Sequence, residues 1–372
     1  MKFARTDQSA VAQWWWTVDR WSLGALGVLI AFGALMIMAS SPEVAIRIHA
    51  SSPLYFVHHY MVELPIALAA MFWASLQSPR SIRRVTLVLF VVFLVLSAYT
   101  LVGGVEIKGS RRWIELPFFA VQPSEFLKPC FAVIAAWLFA QHKLTPKFPG
   151  HLIAIVLLFV IVAIVIKQPD LGMAAVITAV WLSQFFLAGL DLFWIAAFVM
   201  AAGGGLVGAY FALPHVTDRV NRFLDPTVKN SYQIDRAMDA FMNGGLWGRG
   251  PGEGTMKNYL PDAHADFVFA VAGEELGLIV CLIIIALFCF VVLRGFSRLL
   301  HENNLFVVLA ATGLFVQFGL QAVINMASSL ELMPTKGMTL PFISYGGSSL
   351  VALGLAMGMA LALTRKRFGV ET

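Results

Sequence analysis

Charge is what this 372-residue sequence has least of: Asp, Glu, Lys and Arg together make up 13%, against 59% hydrophobic residues and a mean hydropathy of +0.80. Soluble domains carry about a quarter of charged residues, so a water-filled setting for the chain is excluded, and no nucleic-acid partner is expected. Cysteine is scarce as well. Cys130, Cys281 and Cys289 lie apart inside apolar runs, which excludes a disulfide framework or a metal-ligand spacing and leaves the redox compartment unread. The sequence also lacks the polar–apolar alternation of a membrane barrel, a P-loop and any internal repeat or low-complexity tract. Its first polar 20 residues, with Asp7 and Asp19, end in no small-residue cleavage site, so the apolar run that follows is read as retained rather than as a signal peptide.

Unbroken apolar runs are present instead. Crossing a hydrocarbon core of about 30 Å takes about 20 helical residues, and about ten such runs recur at 21–40, 55–77, 84–103, 124–141, 151–167, 171–189, 190–212, 266–294, 304–326 and 346–364. The expected fold is an all-α polytopic membrane protein of one domain over 1–372. It comprises a tail at 1–20, a membrane domain at 21–364, a second tail at 365–372 and one large extracytoplasmic loop at about 213–264. Trp14, Trp15, Trp16 and Trp21 suit an interfacial belt. The 26 Lys and Arg divide evenly between the two faces. One set hugs the span ends, where the positive-inside rule acts most strongly, and this places both termini in the cytoplasm.

That orientation leaves two basic segments outside. One is "VEIKGSRRWIELPFFAVQ" (105–122), with Lys108, Arg111 and Arg112, and the other is the long loop, with Arg219, Arg222, Lys229, Arg236, Arg249 and Lys257. They read either as ordinary solvated loops or as an outward anion site, since Arg and Lys are the usual partners of phosphate oxygens. The loop's "GGLWGRGPGEG" allows plain flexibility or the approach of backbone N–H groups to a phosphate.

Carboxylates inside or beside apolar runs narrow the reading. If 266–294 is one helix, Asp266 stands at its outer rim and Glu274 about 12 Å deeper on a neighbouring face. Asp262 or Asp266 alone would also serve as a helix N-cap; Glu274, two turns into the span, has no such role. In "QPSEFLKP", Glu125 and Lys128 are spaced to pair along a helix face, either for stability or to meet a substrate. "IKQPDLG" breaks an apolar stretch at Pro169, and "LMPTKGMTLPFISYGGSS" sets Lys336 just before the last span.

Taken in order, "KGSRRWI", "QPSEFLK", "QPDLG", "YLPDAHADFVFAVAGEELG" and "MPTKGMTLPFISYGGSS" resemble the shape, elongation, division and sporulation family of peptidoglycan polymerases, and their wording is nearest its division branch. The resemblance runs from about residue 100 to the C-terminus. The chain departs from the family at Asp262, where Glu is usual, at Ala265 (Thr) and at Arg236 (Gln). The resemblance implies an inverting glycosyltransferase in the bacterial inner membrane at the division septum. It would join lipid II units into β-1,4 glycan strands on the periplasmic face, with a class B penicillin-binding transpeptidase and other divisome membrane proteins as partners.

It further implies Asp266 as general base and Arg111, Arg112, Lys128, Arg219, Arg222 and Lys336 as holders of diphosphate. Glu125, Asp262, His264 and Glu274 would support them. A divalent cation, Mg2+ or Mn2+, is the one cofactor it leaves room for, and no organic cofactor is implied. A lipid II flippase or a non-catalytic divisome scaffold are the rival readings.

Overall fold

The computed structural model describes residues 9–366 apart from 108, 116–119, 190–191, 213–215, 218–219, 222–231 and 335–336. After a short helix α1 (Ala10–Thr17), the ten expected spans are all helical. They are α2 (Arg20–Arg47), α3 (Tyr55–Leu76), α4 (Pro79–Gly103), α5 (Pro123–Leu144), α6 (Gly150–Lys167), α7 (Leu171–Leu187), α8 (Leu192–Ala212), α10 (Val268–Leu299), α11 (Leu305–Ser329) and α12 (Gly347–Leu363). Seven of these are long and apolar enough by length and composition to cross a membrane, and α7, the stretch Ala196–Ala212 of α8, and α12 are shorter apolar helices. In the long loop lies α9 (Tyr232–Gly244), which turns Ala237 and Ala240 inward.

Residues 105–122, read from sequence as a loop, instead form a small antiparallel sheet: β1 (Val105–Ile107), β2 (Ser110–Glu115) and β3 (Ala120–Val121), in the order β1-β2-β3. Its register sets Glu106 opposite Arg111, which pair at 3.1 Å. The sheet is fastened to the bundle where the Gln122 amide donates to Ser348 Oγ (3.0 Å) and that hydroxyl donates to the Ala120 carbonyl (3.1 Å).

Lipid gives helices no hydrophobic drive to associate, so close backbone approach has to supply the attraction. The last span shows how. In α12, "GLAMG" places Gly354 and Gly358 one turn apart against the carbonyls of Ala67 and Met71 in α3, where any Cβ would collide. The two helices run in the same direction, as the second and tenth members of an alternating set must.

At one end of the bundle, segments near both chain ends meet. Trp14 Nε1 donates to Ser75 Oγ (2.8 Å), Arg365 Nε to Thr17 Oγ1 (3.0 Å) and the Lys366 amide to the Thr17 carbonyl (3.2 Å). Asp19 takes both oxygens' worth of contact from Arg294 (2.7 and 3.0 Å), with Arg298 at 3.3 Å and Ser22 at 2.8 Å. Burial pushes the Asp19 carboxyl up, but the hydrogen bonds from Arg294 and Ser22 and the charges of Arg298 and Arg294 outweigh it and hold the group below its ordinary range. The sheet, the long loop from Tyr232 to His264, and residues 330–334 and 337–346 gather at the opposite end.

Because its folded pKa is depressed, Asp19 contributes stability above the unfolded value that is lost as pH falls through the folded one. Asp19→Asn is therefore expected to lower the melting temperature of the detergent-solubilised chain at pH 7. The gap to wild type should narrow below about pH 4, the ordinary aspartate range. Equal melting at pH 7 would show that the cluster contributes nothing.

Candidate active site

The segment Leu260–Phe267 is a run of turns rather than the start of a helix. Asp262 sits in the left-handed region at φ 53°, which Asp tolerates better than most residues, and its carbonyl accepts the amides of Ala265 (2.9 Å) and Asp266 (3.0 Å). The helix begins at Val268 behind Phe267, which provides no side-chain cap. Neither Asp262 nor Asp266 is an N-cap, contrary to that sequence reading.

Three neighbours fix the backbone around Asp266. Asn325 Nδ2 donates to the Asp266 carbonyl (3.0 Å) and to the Met338 carbonyl (2.6 Å), Ser344 Oγ donates to the Ala265 carbonyl (2.5 Å), and the Tyr345 amide donates to the His264 carbonyl (2.9 Å). The His264 ring packs on Phe56 (4.3 Å between centroids) and near Tyr345 (5.4 Å). Asp266 Oδ2 lies 3.4 Å from the point a Gly337 Cβ would occupy, so its carboxylate faces Gly337. Asn325 and Ser344 were not picked out from sequence, since neutral polar residues in apolar or turn segments carry no charge signal.

The expected depths of Asp266 and Glu274 are reversed. The helix α10 is interrupted at Gly277, whose φ of 81° and ψ of 176° are open to Gly and hardly to any other residue. Beyond the break, α10 runs antiparallel to α11, with Gly295 against Phe315 and Val292 beside Gly319. Extended at that register, Gly277 comes level with the outer end of α11, and a straight helix would carry Asp266 about 16 Å past it, at about 1.5 Å per residue. Asp266 instead bonds to Asn325, one turn inside that end. The break therefore folds the half-helix 268–276 across the mouth of the bundle, which leaves Glu274 at the hinge and brings Asp266 inward.

Glu274 and Glu275 hold this fold. Both are buried, at 0% and 1% exposure. Glu274 accepts the amides of Thr255 (3.0 Å) and Met256 (2.9 Å) and the Thr255 hydroxyl (3.2 Å), with Arg249 at 3.9 Å. Glu275 accepts the Gly252 amide (2.9 Å) and pairs with Lys257 (2.8 Å), whose Nζ also donates to the carbonyls of Gly252 and Ala39. The Gly-rich loop does bring backbone N–H groups to an anion, and that anion is the protein's own. The nearest cation to Glu274 is Arg249; its main partners are amides, and Lys257 and Glu275 were not assigned from sequence.

The other expected cations have partners of their own. Arg111 pairs with Glu106 on the exposed surface of the sheet. Arg112 Nη1 donates to Asp170 (2.6 Å), which also caps α7 through the Met173 amide, while Arg112 Nε is buried with no hydrogen-bond partner among the described residues. Lys128 is buried between Glu125 (2.9 Å) and Gln321 Oε1 (3.2 Å), and Gln321 Nε2 reaches Thr339. That network ends on the same 338–349 segment that supports Asp266. Arg219, Arg222 and Lys336 lie outside the described residues. Among the described residues no group of three or more His, Cys, Asp or Glu could hold a metal ion, so these side chains do not by themselves fit a protein-built Mg2+ or Mn2+ centre.

Glu63 was missed altogether. It lies in the apolar α3, its carboxylate rests against Gly347 at the positive start of α12, and Oε2 is buried without a hydrogen-bond partner among the described residues. A single Glu in "HHYMVELP" was the available signal.

The cell cycle protein family FtsW/RodA/SpoVE matches residues 20–368. A relative from Caulobacter vibrioides, "probable peptidoglycan glycosyltransferase FtsW", is 45% identical over 99% of this chain and 94% of its own length. One of the same description from Coxiella burnetii is 34% identical over 94% and 96%. Among solved structures, a chain of a peptidoglycan synthase complex that coordinates polymerization and crosslinking superposes with TM-score 0.77 at 24% identity, covering 93% of this chain and 97% of that one. The rod shape determining protein RodA of Thermus thermophilus gives 0.69 at 24% identity, covering 93% and 96%. These structural likenesses concern the fold.

Removing Lys257 would strand a buried carboxylate. Lys257→Met is expected to destabilise the chain by about 3–5 kcal/mol, whereas Lys257→Met combined with Glu275→Leu should recover part of that loss. Melting of the three proteins in detergent measures the coupling; additive losses would mean that the pair is not a unit.

Proposed function

The chain belongs to the cell cycle protein family of FtsW, RodA and SpoVE, and we propose that it is the FtsW-type peptidoglycan glycosyltransferase of septal wall synthesis, polymerising lipid II into β-1,4 glycan strands. The observation that carries the reading is Asp266, a carboxylate on a backbone held by Asn325, Ser344 and Tyr345 at the mouth of a membrane bundle. A general base needs that fixity, because it must stay within hydrogen-bond reach of one hydroxyl.

In this reading Asp266 takes the proton from the 4-hydroxyl of the incoming GlcNAc as that oxygen attacks C1 of the growing chain. The α-linked bond to the diphosphate breaks, and inversion gives the β linkage. The leaving diphosphate is already a stable anion, so it needs cations more than an acid. Arg112, whose buried Nε has no partner among the described residues, and Lys128, with donors beyond Glu125, are suited to that role. Arg111, Arg219, Arg222 and Lys336 remain proposed from resemblance, and no step is routed through a metal. The active end faces the periplasm in the inner membrane, and the partner is a class B penicillin-binding transpeptidase of the divisome, FtsI in type.

Purified chain, partner transpeptidase and lipid II are the test. Asp266→Asn should abolish glycan strands while leaving folding and partner binding intact, Asp262→Glu should stay within a few-fold, and Asp266→Glu should lose roughly 10²-fold, the scale of a 1 Å misplacement. Strands of wild-type length and yield from Asp266→Asn would overturn the base role. Lipid II crossing liposomes at rates indifferent to Asp266→Asn, with no strands from wild type, would establish the flippase reading instead. Cysteines introduced at Gly109 and Gly252 should react with an impermeant maleimide outside spheroplasts and one at Pro146 should not; the reverse would refute the orientation.

A further inference from the structure

Large apolar side chains stand exposed on the long loop, where the machinery around Asp266 makes no use of them: Met242 (79%), Leu246 (58%) and Trp247 (81%). Their position is fixed by backbone bonds. The Leu278 amide donates to the Gly245 carbonyl (2.9 Å), the Ile279 amide to the Leu246 carbonyl (3.3 Å), and the amides of Arg249 and Gly250 donate to the carbonyls of Glu274 and Glu275. The turn is therefore laced onto both sides of the Gly277 break and cannot swing away without opening it.

Burial along α10 changes character at the same place. From Val268 to Glu275 every residue is buried in protein, while from Leu278 onward an exposed face begins with Leu278, Ile279, Leu282 and Ile283. The segment 278–299 is about 33 Å long at about 1.5 Å per residue, which matches a hydrocarbon core of roughly 30 Å. The break thus marks where α10 enters the bilayer, and the exposed turn continues the lipid-facing surface at that level. Trp at the boundary beside a partly exposed Arg249 is the composition that a headgroup–acyl interface selects.

We propose that Met242, Leu246 and Trp247 are immersed in the leaflet on the loop face, with lipid as their occupant, so that the Gly-rich turn anchors the long loop to the membrane at the hinge of α10. The anchor stands on exposure and continuity with the spanning surface, and does not rest on the glycosyltransferase reading.

The test uses the full chain alone in lipid nanodiscs. With Cys130, Cys281 and Cys289 replaced by Ala, a nitroxide attached through Trp247→Cys should collide with oxygen more often than with a water-soluble nickel chelate, as a label at Ile283→Cys does, whereas one at Gly252→Cys should show the opposite order. Should the cysteine-free background fail to fold, the native-cysteine chain serves. The fluorescence lost on going from wild type to Trp247→Phe should be quenched when the nanodisc lipids carry brominated acyl chains. A water-like profile at 247, or a Trp247 contribution untouched by bromine, would overturn the anchor and mark the turn as an aqueous surface for a protein partner.

Discussion

A carboxylate removed from water must be met by protons or cations, and Glu274 and Glu275 meet that demand with the amides of Gly252, Thr255 and Met256 and the ammonium of Lys257. The rest of the outer structure follows from this one set of contacts. The long loop's own apolar residues, Ala237, Ala240, Leu260 and Ala263, pack in a small cluster against Phe267, Ala270 and Val271, and its Gly-rich stretch is ordered by the charges it surrounds. The same contacts hold α10 open at Gly277, because a helix continuing through that point would occupy the space of the loop. With the helix broken, its first half crosses the bundle and Asp266 is delivered to Asn325.

Much of the scaffold was legible in the sequence because the bilayer asks for little besides length and apolarity. All ten expected spans are helices, and the pairing of Glu125 with Lys128 follows from a three-residue spacing. What could not be read depended on partners far along the chain. The apolar run through Gly277 looks continuous, since nothing in "EELGLIV" says that a loop about 25 residues earlier will be threaded into it. Glu106 and Arg111 sit in a hairpin too short to show strand periodicity. Depth was misjudged for the same reason: helix rise converts residue number into height only while the axis runs straight.

The basic residues show how charge is distributed rather than merely present. Arg112, Lys128, Lys257 and Arg294 each pair with a carboxylate of low exposure, so none is free to wander. Side chains with several donors can hold an internal carboxylate with one and present another to an incoming anion. A cation fixed in this way loses less freedom on binding an anion than a solvated one, which favours placement over raw attraction.

Thr17 and Lys366 share a backbone hydrogen bond, and that contact joins the segment before the first span to the one after the last, so that the path of the chain, though not the packing of the helices, closes as a ring. The order in which the spans follow one another in the gene is then only one way of cutting that ring. A chain begun at the short turn between α5 and α6, with its former ends joined by a brief linker across Thr17 and Lys366, would bring every helix to the same neighbours, including α3 to α12. The architecture is in this sense circular, and the latch at the ends is the seam.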